Sequence, residues 1–121
     1  MPTDDWWNGL FATIDARNTA GFLGFLTADA EFRFGNSPSV FGHEAIRAGV
    51  DGFFGSIAGC RHRALRTWGD ETSAVCQGEV TYTRLDGRTV TLPFVNVFEM
   101  RGDRVSRYLI YNDLAPLFAP A

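Results

Sequence analysis

Cysteine is scarce. Cys60 and Cys76 are the only two in 121 residues, without a CxxC pair and with only His62 nearby, so neither a disulfide framework nor a structural zinc site is expected. Basic charge is also in deficit: 11 basic residues against 14 acidic ones give a net charge of -3. That balance leaves no electrostatic footprint for nucleic acid or an anionic membrane surface. No apolar run approaches membrane-spanning length. The start, MPTDDWWNGL, is acidic where a secretory signal is basic and then apolar, which gives the expectation of a cytoplasmic protein. The glycines at 21, 24, 35, 42, 49, 52, 55 and 59 follow neither the dinucleotide nor the P-loop spacing. No cofactor and no metal are expected.

What is present is an ordinary globular composition, 45% hydrophobic and 21% charged, in a length that suits one domain over residues 1–121. The first half reads helical and the second half as strands, which predicts an α+β fold. Thr3 or Asp4 caps a helix to about Arg17, with Trp7, Leu10, Phe11 and Ile14 on one stripe. Asn18 caps a second helix, ending near Ala28, and AEFRF is a short strand stopped by the turn at 35–38. A third helix follows Gly42, carrying Ile46, Val50, Phe53, Phe54 and Ile57 on its apolar side and His43 in its first turn on the polar side. Turns at Gly69-Asp70, Asp86-Gly87 and Gly102-Asp103 then separate strands at roughly 61–68, 73–84, 88–100 and 104–112.

Alternation along these strands singles out a few polar residues. Asn96 shares a face with Val90, Leu92, Phe94, Phe98 and Met100. It either bonds to backbone at a bulge or faces a cavity, because a buried unpaired amide costs about 1–3 kcal/mol. Tyr82 falls in line with Cys76, Gly78 and Val80 and offers a phenol to the same interior. In the last strand Asp113 ends the row of Val105, Leu109 and Tyr111. It reads as a pocket carboxylate tuned by desolvation, the alternative being a cap for the turn Leu114-Ala115-Pro116. Cys60 and His62 share a strand face, but residues two apart need not hydrogen-bond, and a buried free thiol is the reading preferred over a nucleophile and its base.

The element order, the passage FLTADAEF, the segment FGNSPSVFGHEAI and the strands PFVNVFEMRGDRVSRYLIYNDL resemble the SnoaL-like and nuclear transport factor 2-like superfamily. The resemblance spans nearly the whole chain. It implies a cone-shaped α+β fold with three N-terminal helices packed on a curved, mostly antiparallel sheet. Carried over residue by residue, it puts Phe34 where ketosteroid isomerases hold a general-base Asp, Leu10 where they hold a Tyr, and Asn96 where they hold a protonated Asp. The Arg and Asp of limonene-epoxide hydrolases become Val80 and Tyr82. Asn36 and Asp113 match those enzymes' water-binding Asn and acidic Asp, and Asp113 also resembles the acid of polyketide cyclases. Of the histidine pair of scytalone dehydratases, at most His62 is present.

These readings converge on a cavity lined by Phe34, Asn36, Phe94, Phe98, Tyr111 and His62 as substrate contacts, with Asp113, Asn96 and Tyr82 as catalytic groups. The leading expectation is a cofactor-free enzyme. Asp113 moves a proton, and Asn96 with Tyr82 stabilises charge on a carbonyl oxygen of a small apolar substrate, in isomerase, cyclase, dehydratase or hydrolase chemistry. The competing expectation is a non-catalytic module that binds a small apolar ligand or a partner. On the opposite sheet face, Val95, Val97, Tyr108 and Ile110, flanked by Glu79, Thr81, Glu99 and Asn112, form an apolar patch that predicts a homodimer. The alternative is a C-terminal segment, with Leu117 and Phe118, folded over that patch.

Overall fold

The structure is a computed structural model that describes residues 2–120. Helix α1 (Asp4–Asp15) begins where the Thr3 side chain accepts a hydrogen bond from the Trp6 N–H, and it buries Trp7, Leu10 and Phe11 as the stripe predicts. Asn18 caps α2 (Thr19–Leu23) by accepting from the Gly21 N–H. This helix stops at Leu23 rather than near Ala28. Two glycines weaken its continuation, and from Leu26 onward the backbone is claimed by a neighbouring strand.

Six strands make one sheet: β1 (Leu26–Phe34), β2 (Val40–Phe41), β3 (Gly59–Gly69), β4 (Ser73–Thr83), β5 (Thr89–Arg101) and β6 (Arg104–Tyr111), in the order β2-β1-β6-β5-β4-β3. Every neighbouring pair is antiparallel except β1 with β6. Helix α3 (Gly42–Gly55) follows β1 and β2, so only two helices precede the sheet and the expected block of three N-terminal helices is interrupted by β1 and β2. The chain ends in a short 3-10 turn, Ala115–Phe118. Helix α1 packs on β3 and α3 on β1. Their apolar stripes join the inward sides of the strands in a single core cluster. Among the described residues no helix is long and apolar enough to cross a membrane.

One irregularity decides which side chains reach the interior. Glu99 pairs with Arg107 but Met100 pairs with Val105, so Ser106 is an extra residue in β6. Beyond this bulge the alternation reverses. Val105 is inward, and so are Tyr108 at 1% exposure and the half-buried Ile110, while Tyr111 is 52% exposed. The apolar patch read from the sequence is corrected accordingly. The outer-face neighbours of Val97 and Val95 are Leu109 and Tyr111 rather than Tyr108 and Ile110.

Candidate active site

The inward rows of β3 to β6 meet the helices around a cavity of about 50 Å³. Its wall is mainly aromatic and aliphatic: Phe34 from β1, Phe53 and Phe54 from α3, Phe94 from β5 and Ile110 from β6, with Ile14 from the end of α1. Polar groups enter at a few points, as His62, Tyr82, Asn96, Tyr108 and Asn112. Strand register sets their spacing. His62 pairs with Val80 and Asn96 with Cys76. These rows lie four residues apart on β4, about 13 Å along a strand at roughly 3.3 Å per residue. The imidazole and the amide therefore rise from well-separated rows of the wall.

His62 is held by Asp15, the last residue of α1. Its Nδ1 lies 2.6 Å from Asp15 Oδ1, and its backbone N–H donates to Asp15 Oδ2 at 3.0 Å. An ionised carboxylate only accepts, so Nδ1 carries a proton, and in the neutral form of the ring the lone pair sits on Nε2. Nε2 has no hydrogen-bond partner among the described residues. The ring is stacked on Phe11 at 4.9 Å and 9°, and the Phe94 ring meets it edge to face at 5.5 Å. Reasoning from the sequence missed Asp15. The available signal was electrostatic: an acid at the negative end of a helix dipole, in a last turn without a basic residue, is unfavourable unless a donor holds it.

The remaining polar groups differ in how they are satisfied. Asn96 is 2% exposed, and its Oδ1 is buried without a hydrogen-bond partner among the described residues, as is Oδ1 of Asn112. Burial pushes the phenols of Tyr82 and Tyr108 well above the usual tyrosine range, so both remain protonated. Burial, with the Asp15 carboxylate beside it, raises the Cys60 thiol to about 12. Cys60 is then a neutral thiol directed at the Ile14 carbonyl (3.6 Å) and Asp15 Oδ1 (3.8 Å), not a nucleophile at neutral pH.

Of the residues expected at the site, Phe34, His62, Tyr82, Phe94 and Asn96 line the cavity. Phe98 faces inward but lies in the core, with its ring 5.1 Å from that of Trp7 and 4.2 Å from that of Tyr108. Tyr111 and Asp113 do not reach the cavity, because the bulge at Ser106 reverses the parity from which they were placed. Asp113 is exposed, and its Oδ1 accepts from the Ala115 N–H at 2.9 Å, the capping role that had been the alternative. Asn36 is likewise exposed. It lines a second, more polar hollow with Asp113, which meets the cavity at Phe34 and Asn112.

Solved structures with the same fold include a nuclear transport factor 2-like protein of unknown function from Burkholderia pseudomallei, at 20% identity and a TM-score of 0.84 over 93% of this chain and 92% of that one. A candidate polyketide cyclase from Xanthomonas campestris matches at 16% identity and 0.82, over 93% and 90%. A protein of ketosteroid isomerase-like fold from Catenulispora acidiphila, in complex with trimethylamine, matches at 12% and 0.85, over 96% and 91%. At these identities the likeness is one of fold. No match was found among curated proteins. The family model of the SnoaL-like domain matches residues 7–108, most of the chain, from within α1 to within β6, and the protein belongs to that family.

Proposed function

We propose that the protein catalyses a cofactor-independent proton transfer on a small apolar carbonyl compound held in the cavity. The observation that carries this reading is the 2.6 Å contact between His62 and Asp15 at an apolar wall, with no partner for Nε2 among the described residues. His62 Nε2 removes the proton from carbon. Asp15 keeps the proton on Nδ1 and stabilises the imidazolium that forms. The protonated Tyr82 phenol, paired with Cys60 in the row beside His62, donates to the oxygen on which charge develops, and the Asn96 amide, farther along the wall, holds a second polar group of the substrate. The base is thus His62, in place of the Asp113 expected from the sequence. Isomerisation, aldol-type cyclisation and dehydration all begin with this step. The likeness to a candidate polyketide cyclase and to a ketosteroid isomerase-like fold is compatible with such chemistry. At about 50 Å³ the void takes a few waters or a compact molecule, so a larger substrate enters by displacing aromatic rings of the wall. We also assign a second copy of the chain to the outer sheet face.

Deuterium exchange reads the proton-transfer step alone, whatever bond changes follow it. A panel of apolar ketones in D2O is followed by proton NMR for loss of the hydrogens next to the carbonyl. The expected result is enzyme-dependent exchange that falls by roughly 10²- to 10⁴-fold in His62→Gln, the usual contribution of a general base. Asp15→Asn falls by a smaller factor. Ketones that bind to the wild type without any exchange overturn the reading in favour of a binding module.

A further inference from the structure

We propose that Asp15, Cys60 and His62 form a binding site for a soft divalent cation of the zinc type, one whose occupancy excludes proton transfer by His62. The sequence offers only C-x-H, which is no ligand set by itself. The fold adds the third donor by laying the end of α1 against β3. Asp15 Oδ1, Cys60 Sγ and a ring nitrogen of His62 then lie within 4.8 Å of one another. A tetrahedral zinc ion with a Zn–S bond of about 2.3 Å and Zn–N and Zn–O bonds of about 2.0–2.2 Å spaces its donors roughly 3.3–3.6 Å apart. The sulfur is already 3.8 Å from Asp15 Oδ1. The His62 Nδ1 to Asp15 Oδ1 distance of 2.6 Å opens by about 0.7 Å to reach that spacing, as the metal replaces the proton between the two atoms.

Charge and softness point the same way. A thiolate, a carboxylate and a neutral imidazole cancel the two charges of the cation, so a half-buried site holds no net charge. Sulfur and nitrogen donors favour zinc-type ions over magnesium or calcium. Three protein ligands also leave a fourth position open, beside a cavity whose wall already includes Cys60 and His62. Loss of the thiol hydrogen does not orphan the Ile14 carbonyl, which also accepts from the Arg17 N–H at 2.9 Å.

The proton balance explains the exclusion, which rests on His62 being the base proposed above. The Cys60 thiol proton leaves to solvent as the metal–sulfur bond forms. The Nδ1 proton gives way to the metal–nitrogen bond while Nε2 takes up a proton, so the ring stays neutral and one proton is released overall. Nε2 then carries hydrogen and has no lone pair with which to abstract a proton from carbon.

Cobalt(II) added to the purified metal-free protein tests the site by a readout independent of turnover. The expected spectrum has a thiolate-to-cobalt charge-transfer band in the near ultraviolet and the intense visible bands of tetrahedral cobalt, both displaced by zinc. The charge-transfer band is lost in Cys60→Ser and in Cys60→Ala, is weakened in Asp15→Asn, and persists in Cys76→Ala. Circular dichroism confirms that each variant is folded. Only the weak spectrum of hydrated cobalt in the wild type, or a charge-transfer band that survives in a folded Cys60 variant, overturns the site. Zinc at one equivalent is expected to abolish ketone exchange. Exchange that continues with the site filled overturns the exclusion, whereas a wild type that never exchanges overturns the proton-transfer reading and leaves the cobalt spectrum to decide the site.

Discussion

The Asn96 carbonyl oxygen is buried with no partner among the described residues, and such a group costs about 1–3 kcal/mol while it stays unpaired. Asn96→Leu keeps the side-chain shape and removes that cost. The variant is therefore expected to gain up to about 2 kcal/mol against urea while ketone exchange falls by a smaller factor than in His62→Gln, as for the loss of one contact that holds the substrate. A Leu variant less stable than the wild type would show that the amide is already satisfied within the fold. Asn96 was legible in the sequence because it interrupts an apolar row whose members all turn out to be inward. Asp15 was not, because its partner lies 47 positions away and only the packing of α1 on β3 joins them.

At the scale of elements, the strand turns were legible because Gly-Asp and Asp-Gly pairs mark them, and β3 to β6 fall within about two residues of their predicted ends. A bulge leaves no such mark. Ser106 is an ordinary strand residue, and only the pairing of Glu99 with Arg107 and of Met100 with Val105 shows that it is extra. Alternation counted straight through it therefore puts Tyr111 and Asp113 on the wrong face. Gly78 was legible only as a small residue in an inward row; the structure gives the reason. A Cβ there would stand 2.7 Å from Phe94 Cζ and would overlap the Arg63 carbonyl oxygen. Gly78→Ala must therefore push the Phe94 ring, which borders His62, or the β3 backbone. The expected loss is about 1–3 kcal/mol in urea denaturation, partly recovered when Phe94→Leu is added. Gly49→Ala serves as the control, since a Cβ on that exposed face of α3 meets nothing within 4 Å and should stabilise by up to about 1 kcal/mol.

On the scale of the whole molecule, the two sides of the sheet have different fates. The inward side is sealed by helices, while the outward side runs through Trp68, Val75, Val97 and Leu109 in one row of paired residues, with Val95 and Tyr111 in the next. Trp68 is 42% and Tyr111 52% exposed, with Val75, Val95 and Val97 half-buried between them and Leu109 only 7% exposed, which leaves apolar surface in water. The C-terminal segment does not supply the cover. Leu117 is buried within the core cluster, and Arg84 Nη1 donates to the Ala119 carbonyl at 2.7 Å, tying the segment near the β4–β5 turn. A second copy related by a two-fold axis places like surface on like, with the ion pairs of Arg107 to Glu99 (3.7 Å) and to Glu31 (3.2 Å) at the rim of each copy. Sedimentation equilibrium at micromolar concentration is expected to give twice the single-chain mass of 13.4 kDa. Val97→Asp puts a charge in the middle of the apolar row and should return the single-chain mass without loss of helical circular dichroism, because the Val97 side chain points away from the cavity. A wild type that sediments at the single-chain mass would leave the face uncovered in solution and remove the dimer from the reading, while the site around His62, which draws on one chain only, would stand or fall by exchange alone.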